Sequence, residues 1–388
     1  MNKTIRYARQ NIDKKDIESV VKILKSDSIT QGEIVSEFGS KIAKFVGAKY
    51  GIAVSSGTAA LHLSLAALNL KPGDEVITTP ITFCATANAV LYNGADVKLV
   101  DIDKETMNID PKKIEKKITK KTKAIIAVDF RGHAADLAKI YSLAKKYKIK
   151  LIEDASHSLG SKYFINKKKF KCGDCKHADL ATFSFHPVKH ITTGEGGVIT
   201  TNNLRLYKKL LLLKKHGIDK NKDMTNPKKQ IGEWKYDMVL LGYNYRLTNF
   251  QAALGISQFK RINYFMKERK KIVNFYNEEL SSISDITLPY EKKGFLSNFH
   301  LYVIRVNNRK KINRFSLFNY LKKHNIVTQV HYVPIHYLKY YKRKYKFNNN
   351  DFPEAKNYYE QALSLPLYPG LSSIQLKKII KVLKNYFK

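Results

Sequence analysis

The sequence predicts an α/β protein with a mainly parallel, doubly wound sheet, followed by a smaller α+β domain. From about residue 50 to about residue 200, short apolar runs alternate with longer segments of helical period, which is typical of βαβ units. From about residue 285 this alternation gives way to a strand, a helix, a second strand and a terminal helix. We therefore expect a large domain with an N-terminal arm over residues 1–250, and a linking helix with a small C-terminal domain over residues 251–388.

Seven short apolar runs are the strands predicted for the large sheet, at residues 51–54, 75–78, 97–100, 124–128, 150–152, 180–184 and 197–200. The clearest helical patterns between them lie at residues 58–68, 84–91 and 136–147. A polar stretch with Pro227 and Gly232 then predicts a long loop at 218–235, and long loops in compact domains are often functional.

A long helical pattern follows the loop and covers residues 250–280. The small domain is predicted to contain a strand at 298–306, a helix at 316–324, a strand at 327–331 and a helix at 373–387. Right-handed crossovers between parallel strands place a ligand at the carboxyl ends of those strands. Polar residues at strand ends in the large domain are therefore the first candidates for a functional site.

The charge of the chain invites a nucleic-acid interpretation, because 70 Lys+Arg face 33 Asp+Glu for a net charge of +37 over 388 residues. The hydrophobic content of 44% excludes a disordered chain. Only 11 of the basic residues are arginine, however, and the other 59 are lysines spread along the whole sequence. Base and phosphate recognition favours the bidentate fork of arginine. We therefore expect solvated surface lysines and no nucleic-acid partner.

The cysteine count and the apolar runs predict a soluble, cytoplasmic protein. Three cysteines cannot form a disulfide framework, and no run reaches the roughly 20 apolar residues of a membrane span. Cys172 and Cys175 form a lone C-x-x-C near His177. A redox pair or half of a zinc site stays open, but Cys84 is the only further cysteine, so a four-cysteine site is excluded. We favour no functional role and no metal.

The most informative lysine follows the predicted strand that ends at Ser184. Lys189 lies five residues later, after a turn with Pro187, and a glycine-rich segment leads into the next strand. A lysine among apolar neighbours at a strand's carboxyl end can have a lowered pKa and act as an amine nucleophile. The alternative is one more surface lysine.

An acidic residue ends the neighbouring strand, in the segment IKLIEDASHSLG at residues 149–160. Asp154 in that position could keep a pyridinium nitrogen protonated, which makes pyridoxal phosphate (PLP) an electron sink. The alternative for a single aspartate after a strand is a helix cap.

Two further segments suit a flat, phosphorylated cofactor. The turn at Ser55, Ser56, Gly57 and Thr58 joins a strand to an Ala/Leu-rich helix, and free backbone amides at a helix start bind phosphate. An ordinary turn with a serine cap is the alternative. Phe83 follows the next strand and could stack on the cofactor ring. Its alternative is a place in the core.

Taken together, the motifs SFHPVK, TTGEGG, EDASHSLG, SSGTAALHL, TPITFCATANAV and GYNYRLTNFQAALG resemble the DegT/DnrJ/EryC1/StrS family of sugar aminotransferases. These are PLP enzymes of fold type I, and the resemblance runs from about residue 4 to the C-terminus. Segments 26–32, 129–133 and 331–336 are similar to the branch that serves pseudaminic acid biosynthesis. That branch aminates C4 of a UDP-linked 4-keto-6-deoxy-N-acetyl-altrosamine precursor.

The resemblance implies a role for each cofactor residue. Lys189 would bind PLP covalently and move the proton between C4′ of the cofactor and the substrate carbon, while Asp154 would pair with the pyridine nitrogen. The other implied cofactor contacts are Ser184, Gly57 and Thr58 at the phosphate, Phe83 on one ring face, His157 beside the hydroxyl group, and Asn244 at the phosphate of the neighbouring subunit.

The resemblance also implies the substrates and the assembly. L-glutamate would donate the amino group to a nucleotide sugar, in active sites that form at a homodimer interface. The residues implied to line the sugar cleft are Tyr7, Asp27, Ser28, Ile29, Thr30, Gly57, His331, Tyr332, Val333 and Pro334. Two other functions stay open: amination of another nucleotide-linked keto sugar, such as a perosamine or bacillosamine precursor, and a PLP-binding regulatory protein without turnover.

Two departures from the family pattern concern residues near these motifs. His190 follows the lysine where this branch usually has proline, and Ala134 stands where proline is frequent. Family members that act as dehydratases carry histidine at the lysine position itself. Because Lys189 occupies that position here, the resemblance implies an aminotransferase.

Overall fold

The computed structural model describes residues 4–219, 234–307 and 312–388. Its α-helices, numbered in chain order, are α1 Lys14–Leu24, α2 Glu33–Val46, α3 Gly57–Ala66, α4 Cys84–Tyr92, α5 Pro111–Ile114, α6 Leu137–Lys146, α7 Leu204–Leu213, α8 Asn249–Phe259, α9 Ile262–Leu280, α10 Arg314–Lys323, α11 Lys339–Tyr345, α12 Pro353–Gln361 and α13 Ser373–Tyr386. No helix in the described ranges is long and apolar enough to cross a membrane.

The strands, also in chain order, are β1 Tyr50–Val54, β2 Glu75–Thr78, β3 Asp96–Leu99, β4 Thr122–Val128, β5 Lys150–Asp154, β6 Lys162–Ile165, β7 Lys168–Lys171, β8 Leu180–Ser184, β9 Gly197–Thr201, β10 Ile218–Asp219, β11 Asp237–Met238, β12 Ile286–Thr287, β13 Phe295–Leu296, β14 Tyr302–Val306 and β15 Ala362–Leu365.

The large sheet has seven strands in the order β1-β9-β8-β5-β4-β2-β3. Its pairings from β3 to β8 are parallel, and β9 alone runs antiparallel to both of its neighbours. All seven predicted strands occur in it, so the α/β class with a mainly parallel sheet is confirmed. The parallel strands are buried, as expected for a sheet with helices on both faces. Their carboxyl ends, at Val128, Asp154 and Ser184, lie along one edge.

Two helices precede the sheet, and the sequence analysis did not identify them. The side chains of Asp13 and Asp16 exchange hydrogen bonds with each other's backbone amides in a capping box that starts α1. Helix α2 ends at Gly47, whose φ of 94° favours glycine. Helix α2 packs on β1, and both helices pack against α8.

The predicted helix over residues 250–280 is two helices, because the chain turns at Lys260 and Arg261 between α8 and α9. Arg261 pairs its guanidinium with Asp16 of α1 and with Asp13, the residue before that helix, so the turn between α8 and α9 is tied to the start of α1. The division of the chain at residue 250 stays a prediction. The predicted loop at 218–235 lies mostly outside the described residues, with a short β10–β11 pair at its flanks.

The strand predicted at 327–331 is wrong. Its backbone bonds two different segments and not one neighbouring strand: Val327 donates its amide to Ile5 O, and Gln329 makes an isolated bridge with Ser364 of β15. The alternating side chains that suggested a strand instead bring His331, Tyr332 and Val333 to the cavity described below. The three-stranded sheet β12-β14-β15 and helices α9, α10 and α13 enclose a separate apolar core.

A β-hairpin, also missed from the sequence, follows the large sheet's β5. Strands β6 and β7 pair in antiparallel register through a two-residue turn at Asn166 and Lys167, with φ of 48° and 65°. Positive φ at both central positions matches the tight turns preferred in hairpins. Lysine residues at the turn and on both strands interrupt the apolar alternation, so the sequence pattern did not predict these strands.

Candidate active site

A cavity of about 680 Å³ opens at the carboxyl edge of the large sheet. Strands β4, β5 and β8 contribute Val128, Asp154 and Ser184 to its wall. Helix α3 contributes its first turn, and the segment after residue 328 closes the opposite side. The position agrees with the edge at which a parallel sheet is expected to bind its ligand.

Lys189 lies on the cavity wall in the turn after β8. Its backbone amide donates a hydrogen bond to His186 O over 2.9 Å, which closes the turn. Burial lowers the pKa of its amine to about 8, and the nearby Asp154 carboxylate offsets only part of that effect. A lowered pKa leaves more of the amine neutral and nucleophilic near neutral pH. The alternative of an ordinary surface lysine therefore does not hold.

Asp154 is the last residue of β5 and is only 5% exposed. Thr86 donates its hydroxyl to Oδ2 of Asp154 over 2.8 Å, and the Ser156 amide donates to Oδ1 over 3.2 Å. The next element in the chain after Asp154 is strand β6, which begins at Lys162, so Asp154 is not a helix cap. The carboxylate is held at the bottom of the cavity by donors on two elements.

The first turn of α3 lies at the other end of the cavity. Ser56 caps the helix by accepting a hydrogen bond from the Ala59 amide over 3.0 Å. A Cβ atom at Gly57 would lie 2.7 Å from Cβ of Ser184, so only glycine allows this close approach. Gly57, Thr58 and Ser184 together line a concave anchor for an anion at a helix N-terminus.

Phe83 stands at the cavity mouth, 56% exposed, just before α4. Its ring centroid lies 5.9 Å from that of Tyr332. The alternative of a core phenylalanine is therefore wrong, and the ring is available to cover a flat ligand. His157, on the cavity floor, shares a hydrogen bond of 3.2 Å between Nε2 and the Tyr332 hydroxyl. Burial lowers the pKa of His157 well below its ordinary value, so its ring is neutral.

The structure brings most of the predicted site residues together and leaves some apart. Those that line the cavity are Tyr7, Gly57, Thr58, Phe83, Asp154, His157, Ser184, Lys189, His331, Tyr332 and Val333. Those outside its lining are Asp27, Ser28, Ile29, Thr30, Asn244 and Pro334.

The outlying residues 27–30 belong to a segment that is tied to α8. Asn249 donates to Ser28 O over 2.8 Å and accepts from the Gly32 amide over 2.7 Å. Asn244 makes an isolated bridge with Lys215. Residues 27–30 and Asn244 are exposed, and none of them lines this cavity.

Sequence reasoning missed several lining residues. Thr82 and Thr86 lie four residues apart in the motif TPITFCATANAV, and their hydroxyls share a hydrogen bond of 2.7 Å. Two hydroxyl residues four positions apart, on either side of Phe83, could have predicted that this segment contributes polar groups to the site. His300 also lines the cavity, but it comes from the distant segment before β14, and no local pattern marks it.

A second buried cluster lies near this edge of the sheet, formed by Asp129, Glu153 and Cys172. Burial and the neighbouring Asp129 raise the pKa of Glu153 well above its ordinary value, which favours the protonated form of its carboxyl group. Gly173 donates its amide to both carboxyl oxygens of Glu153 over 3.0 Å. Cys172 and Cys175 are both buried and free, and burial raises the pKa of each thiol. Neither thiol has the character of a reactive cysteine.

Comparison with known families decides the class of the site. The family model described as "DegT/DnrJ/EryC1/StrS aminotransferase family" matches residues 10–384. The chain belongs to this family. It is a PLP-dependent sugar aminotransferase, as the motifs predicted, and the large sheet with its carboxyl-edge cavity is the PLP-dependent fold type I.

Named relatives cover nearly the whole chain. A UDP-4-amino-4,6-dideoxy-N-acetyl-beta-L-altrosamine transaminase of Campylobacter jejuni is 41% identical over 374 residues, 95% of this chain and 93% of the relative. Helicobacter pylori PseC, an aminotransferase involved in the biosynthesis of pseudoaminic acid, superposes with a TM-score of 0.88 at 31% identity, covering 99% of both chains. The PLP form of the sugar aminotransferase Spr1654 from Streptococcus pneumoniae superposes with a TM-score of 0.89 at 30% identity, covering 98% of both chains.

The residues present fit PLP on grounds of chemistry. Gly57, Thr58 and Ser184 line the cavity at the N-terminal end of α3 and offer amide and hydroxyl donors to a phosphate. The Lys189 amine, with a pKa of about 8, lines the same cavity as the Asp154 carboxylate and interacts with its charge. A phosphate, an aldehyde and a ring nitrogen have one matching partner each in this arrangement.

Proposed function

We propose that this enzyme transfers the amino group of L-glutamate to C4 of a UDP-linked 4-keto-6-deoxy-N-acetylhexosamine, in pseudaminic acid biosynthesis. The observation that carries the chemistry is the placement of Lys189 and Asp154 in one cavity with a helix N-terminus. The sugar is supported by the 41% identity to the altrosamine transaminase and by the similarity of residues 26–32, 129–133 and 331–336.

PLP, when bound, supplies an electrophilic carbon and an electron-withdrawing ring. Lys189 provides the amine that holds it, and the same amine then carries the proton between C4′ and the substrate carbon. Its lowered pKa of about 8 suits both duties, because a general acid–base works best when its pKa lies near the working pH.

Asp154 keeps the ring nitrogen protonated by accepting its N–H. The carboxylate already accepts hydrogen bonds from Thr86 and from the Ser156 amide. Both bonds fix its orientation before the ligand arrives, so little reorganisation accompanies the reaction.

The remaining cofactor residues orient the ligand between these two groups. Gly57, Thr58 and Ser184 bind the phosphate, with the N-terminal end of α3 providing partial positive charge. Phe83 would cover one face of the bound cofactor ring, and His157 would stand beside the ring hydroxyl. These contacts fix the reacting carbon relative to the Lys189 amine.

The sugar nucleotide enters over the cavity mouth. Tyr7, His331, Tyr332 and Val333 line that side, with His331 held by a hydrogen bond of 2.8 Å between Nδ1 and the Ser364 hydroxyl. Pro334 follows directly in the chain and shapes the turn. We assign this wall to recognition of the sugar and its diphosphate.

We also propose a homodimer in which Asn244 reaches the cofactor phosphate of the partner subunit and residues 27–30 reach its sugar. Support comes from an unusual exposed apolar surface next to Asn244. Leu241 is 77% exposed and Trp234 is 85% exposed, and Tyr236, Met238 and Val239 are also exposed. Large side chains of this kind mark an interaction surface when they cluster.

Subunit complementation tests the shared site. Lys189→Ala and Asn244→Ala are each expected to abolish or strongly reduce turnover. Mixing and refolding the two variants places one intact site in each heterodimer, so activity is expected to return. Mixtures that stay as inactive as either variant alone contradict a shared site.

Substrate transfer tests the proposed reaction. Purified enzyme is given L-glutamate and, separately, UDP-, GDP- and dTDP-linked keto sugars, and the aminated product is located by NMR. We expect amination at C4 of the UDP-linked 4-keto-6-deoxy-N-acetylhexosamine. Preference for a perosamine or bacillosamine precursor would contradict the sugar assignment alone. Absence of the half-reaction with glutamate and every other amino acid would favour a regulatory protein without turnover.

A further inference from the structure

His300 is a cavity residue that the proposed function leaves without a role. It is 4% exposed, lines the cavity, and arrives from the segment before β14 rather than from the large sheet. Its ring centroid lies 4.3 Å from that of His157 and 5.5 Å from that of His190. The structure therefore places an additional histidine directly against the one assigned to the cofactor hydroxyl.

The backbone of His300 is fixed from two sides. Its amide donates to Arg131 O over 2.9 Å. A Cβ atom at Gly132, where φ is 92°, would lie 2.9 Å from the His300 amide and 3.0 Å from His157 O. Glycine at that position thus lets the segments of both histidines approach. The glycine of the Asp129–His133 segment is therefore needed for this close approach.

The buried guanidinium of Arg269 fixes the other side. Its Nη1 donates to His300 O over 3.2 Å and to Leu367 O over 3.1 Å. No carboxylate partners Arg269 in the described part of the chain. Its positive charge therefore acts on the nearby rings and disfavours a second buried cation there.

The tautomer of His157 follows from its one recorded partner. Burial raises the pKa of Tyr332, so the phenol keeps its proton. Among the described residues, the Tyr332 hydroxyl has a hydrogen bond only with Nε2 of His157. We assign the phenol as the donor in this hydrogen bond, which places the proton of the neutral His157 ring on Nδ1.

Both Nδ1 atoms of the pair are buried and have no partner in the described chain. A buried N–H donor without an acceptor is costly. The facing ring offers the missing acceptor, because neutral His300 with its proton on Nε2 has a free lone pair on Nδ1. The ring centroids lie 4.3 Å apart with 38° between the planes. A hydrogen bond of about 3 Å between the two nitrogens requires the rings to turn edge to edge and their centroids to move to about 5 Å apart.

We propose that His300 is a positioning residue for His157: it accepts the Nδ1–H of His157 and thereby fixes the ring that stands beside the cofactor hydroxyl. The charged and titratable groups that face His300 are His157, His190, Lys189 and Arg269. Burial lowers the pKa of His300, and the positive charges of Lys189 and Arg269 lower it further, which keeps its lone pair available as an acceptor. This inference rests on the proposed placement of His157 at the cofactor.

A double-mutant cycle tests the coupling. The probe is pyridoxamine phosphate, which binds without the covalent link to Lys189, and its Kd is measured for wild type, His300→Phe, His157→Phe and the double variant. Phenylalanine keeps a flat ring for packing and removes both nitrogens. We expect His300→Phe to raise Kd roughly five- to tenfold in the wild-type background and less than about twofold in the His157→Phe background.

Equal weakening in both backgrounds would show that His300 acts independently of His157, and unchanged binding would show that it has no such role. Either result overturns the inference. If the wild type binds pyridoxamine phosphate and is an active aminotransferase, and His300→Phe has the same Kd, this inference alone is overturned. A wild type that does not bind the probe overturns the proposed cofactor placement as well.

A spectral titration adds a readout that packing alone would not move. The midpoint of the pH-dependent absorption of bound PLP is expected to shift by roughly half a unit or more in His300→Phe, and His300→Gln is expected to restore part of it. His324→Phe is the control, because His324 bonds Tyr320 O within its own helix. If His300→Phe does not fold, His300→Gln replaces it in the titration. The inference then predicts a smaller midpoint shift in His300→Gln, and no shift when the same change is made in the His157→Phe background.

Discussion

Thr86 donates its hydroxyl to Oδ2 of Asp154 over 2.8 Å from the first turns of α4. Thr82 extends this line with a hydroxyl contact of 2.7 Å to Thr86. A helix beside the cavity mouth thus orients a carboxylate on its floor. In the proposed function, the motif that carries Phe83 therefore serves the cofactor twice, once through its ring and once through its hydroxyls.

Removal of the Thr86 hydroxyl is expected to slow the reaction more than it weakens the fold. A hydrogen bond to a charged group contributes about 1.5–3 kcal/mol, so Thr86→Val should lower kcat by roughly ten- to a hundredfold. Thr86→Ser keeps the donor and should stay within about threefold of wild type. Steady-state kinetics checks both variants. Equal losses in the two would mean that shape, not the hydroxyl, matters at this position.

The lowered pKa of Lys189 predicts the pH dependence of cofactor capture. The neutral amine is the nucleophile, so the rate of PLP incorporation into apoenzyme should rise with pH and level off above about 8. Because the Asp154 carboxylate raises this pKa, Asp154→Asn should move the midpoint to lower pH. Stopped-flow absorbance measures both profiles. A midpoint that moves upward in Asp154→Asn would contradict the electrostatic contact.

Gly57 should not tolerate a side chain. The added Cβ of Gly57→Ala would lie 2.7 Å from Cβ of Ser184, so the helix start must shift and the phosphate anchor opens. We expect PLP affinity to fall by about tenfold or more, as measured by equilibrium dialysis. Combining Gly57→Ala with Ser184→Gly removes the clash. The double variant should therefore bind PLP more tightly than Gly57→Ala alone, even though Ser184→Gly by itself lowers the affinity. No recovery would exclude this contact as the cause.

The protonated Glu153 predicts a pH dependence of stability. Its pKa is raised in the folded protein, so folding takes up a proton above the unfolded value of about 4.3. That stabilisation is present at low pH and is lost as pH rises through the folded pKa. Glu153→Gln keeps an N–H donor for Asp129 and cannot lose a proton.

Wild type should therefore lose free energy of unfolding relative to Glu153→Gln between about pH 5 and about pH 7, by up to about 1.4 kcal/mol per unit. Urea unfolding at the two pH values measures this difference. Glu18→Gln, at an exposed helix position, is the control and should show no such trend. Parallel curves for wild type and Glu153→Gln would mean that the Glu153 carboxyl is ionised in the folded state.

Local pattern was enough for the large sheet and for the residues that end its strands. Asp154 and Ser184 were identified because a buried strand followed by a polar residue is visible in a short window. The same reasoning failed where contacts between distant segments determine the secondary structure. The turn between α8 and α9 lies at Arg261, which pairs with Asp13 and Asp16 at the start of α1. The segment 327–329 bonds both Ile5 and Ser364 and not a single neighbouring strand.

The site residues that escaped sequence analysis come from distant segments or act indirectly. His300 lies 143 positions from its ring partner His157, as the numbering shows, and only the fold joins them. Thr86 points back from a helix to a strand end. Residues 27–30 and Asn244, implied by the resemblance alone, lie outside the cavity of one subunit, and their roles stay predictions that depend on a dimer.

The central claim is that Lys189, among 59 lysines, is the one that binds PLP covalently. Borohydride treatment of the PLP-bound enzyme reduces the link to a stable amine, and peptide mass spectrometry then locates the modified lysine. We predict a single stoichiometric modification on the peptide that contains Lys189, and none in Lys189→Ala. Stoichiometric modification of any other lysine, or full labelling of Lys189→Ala, would contradict the account.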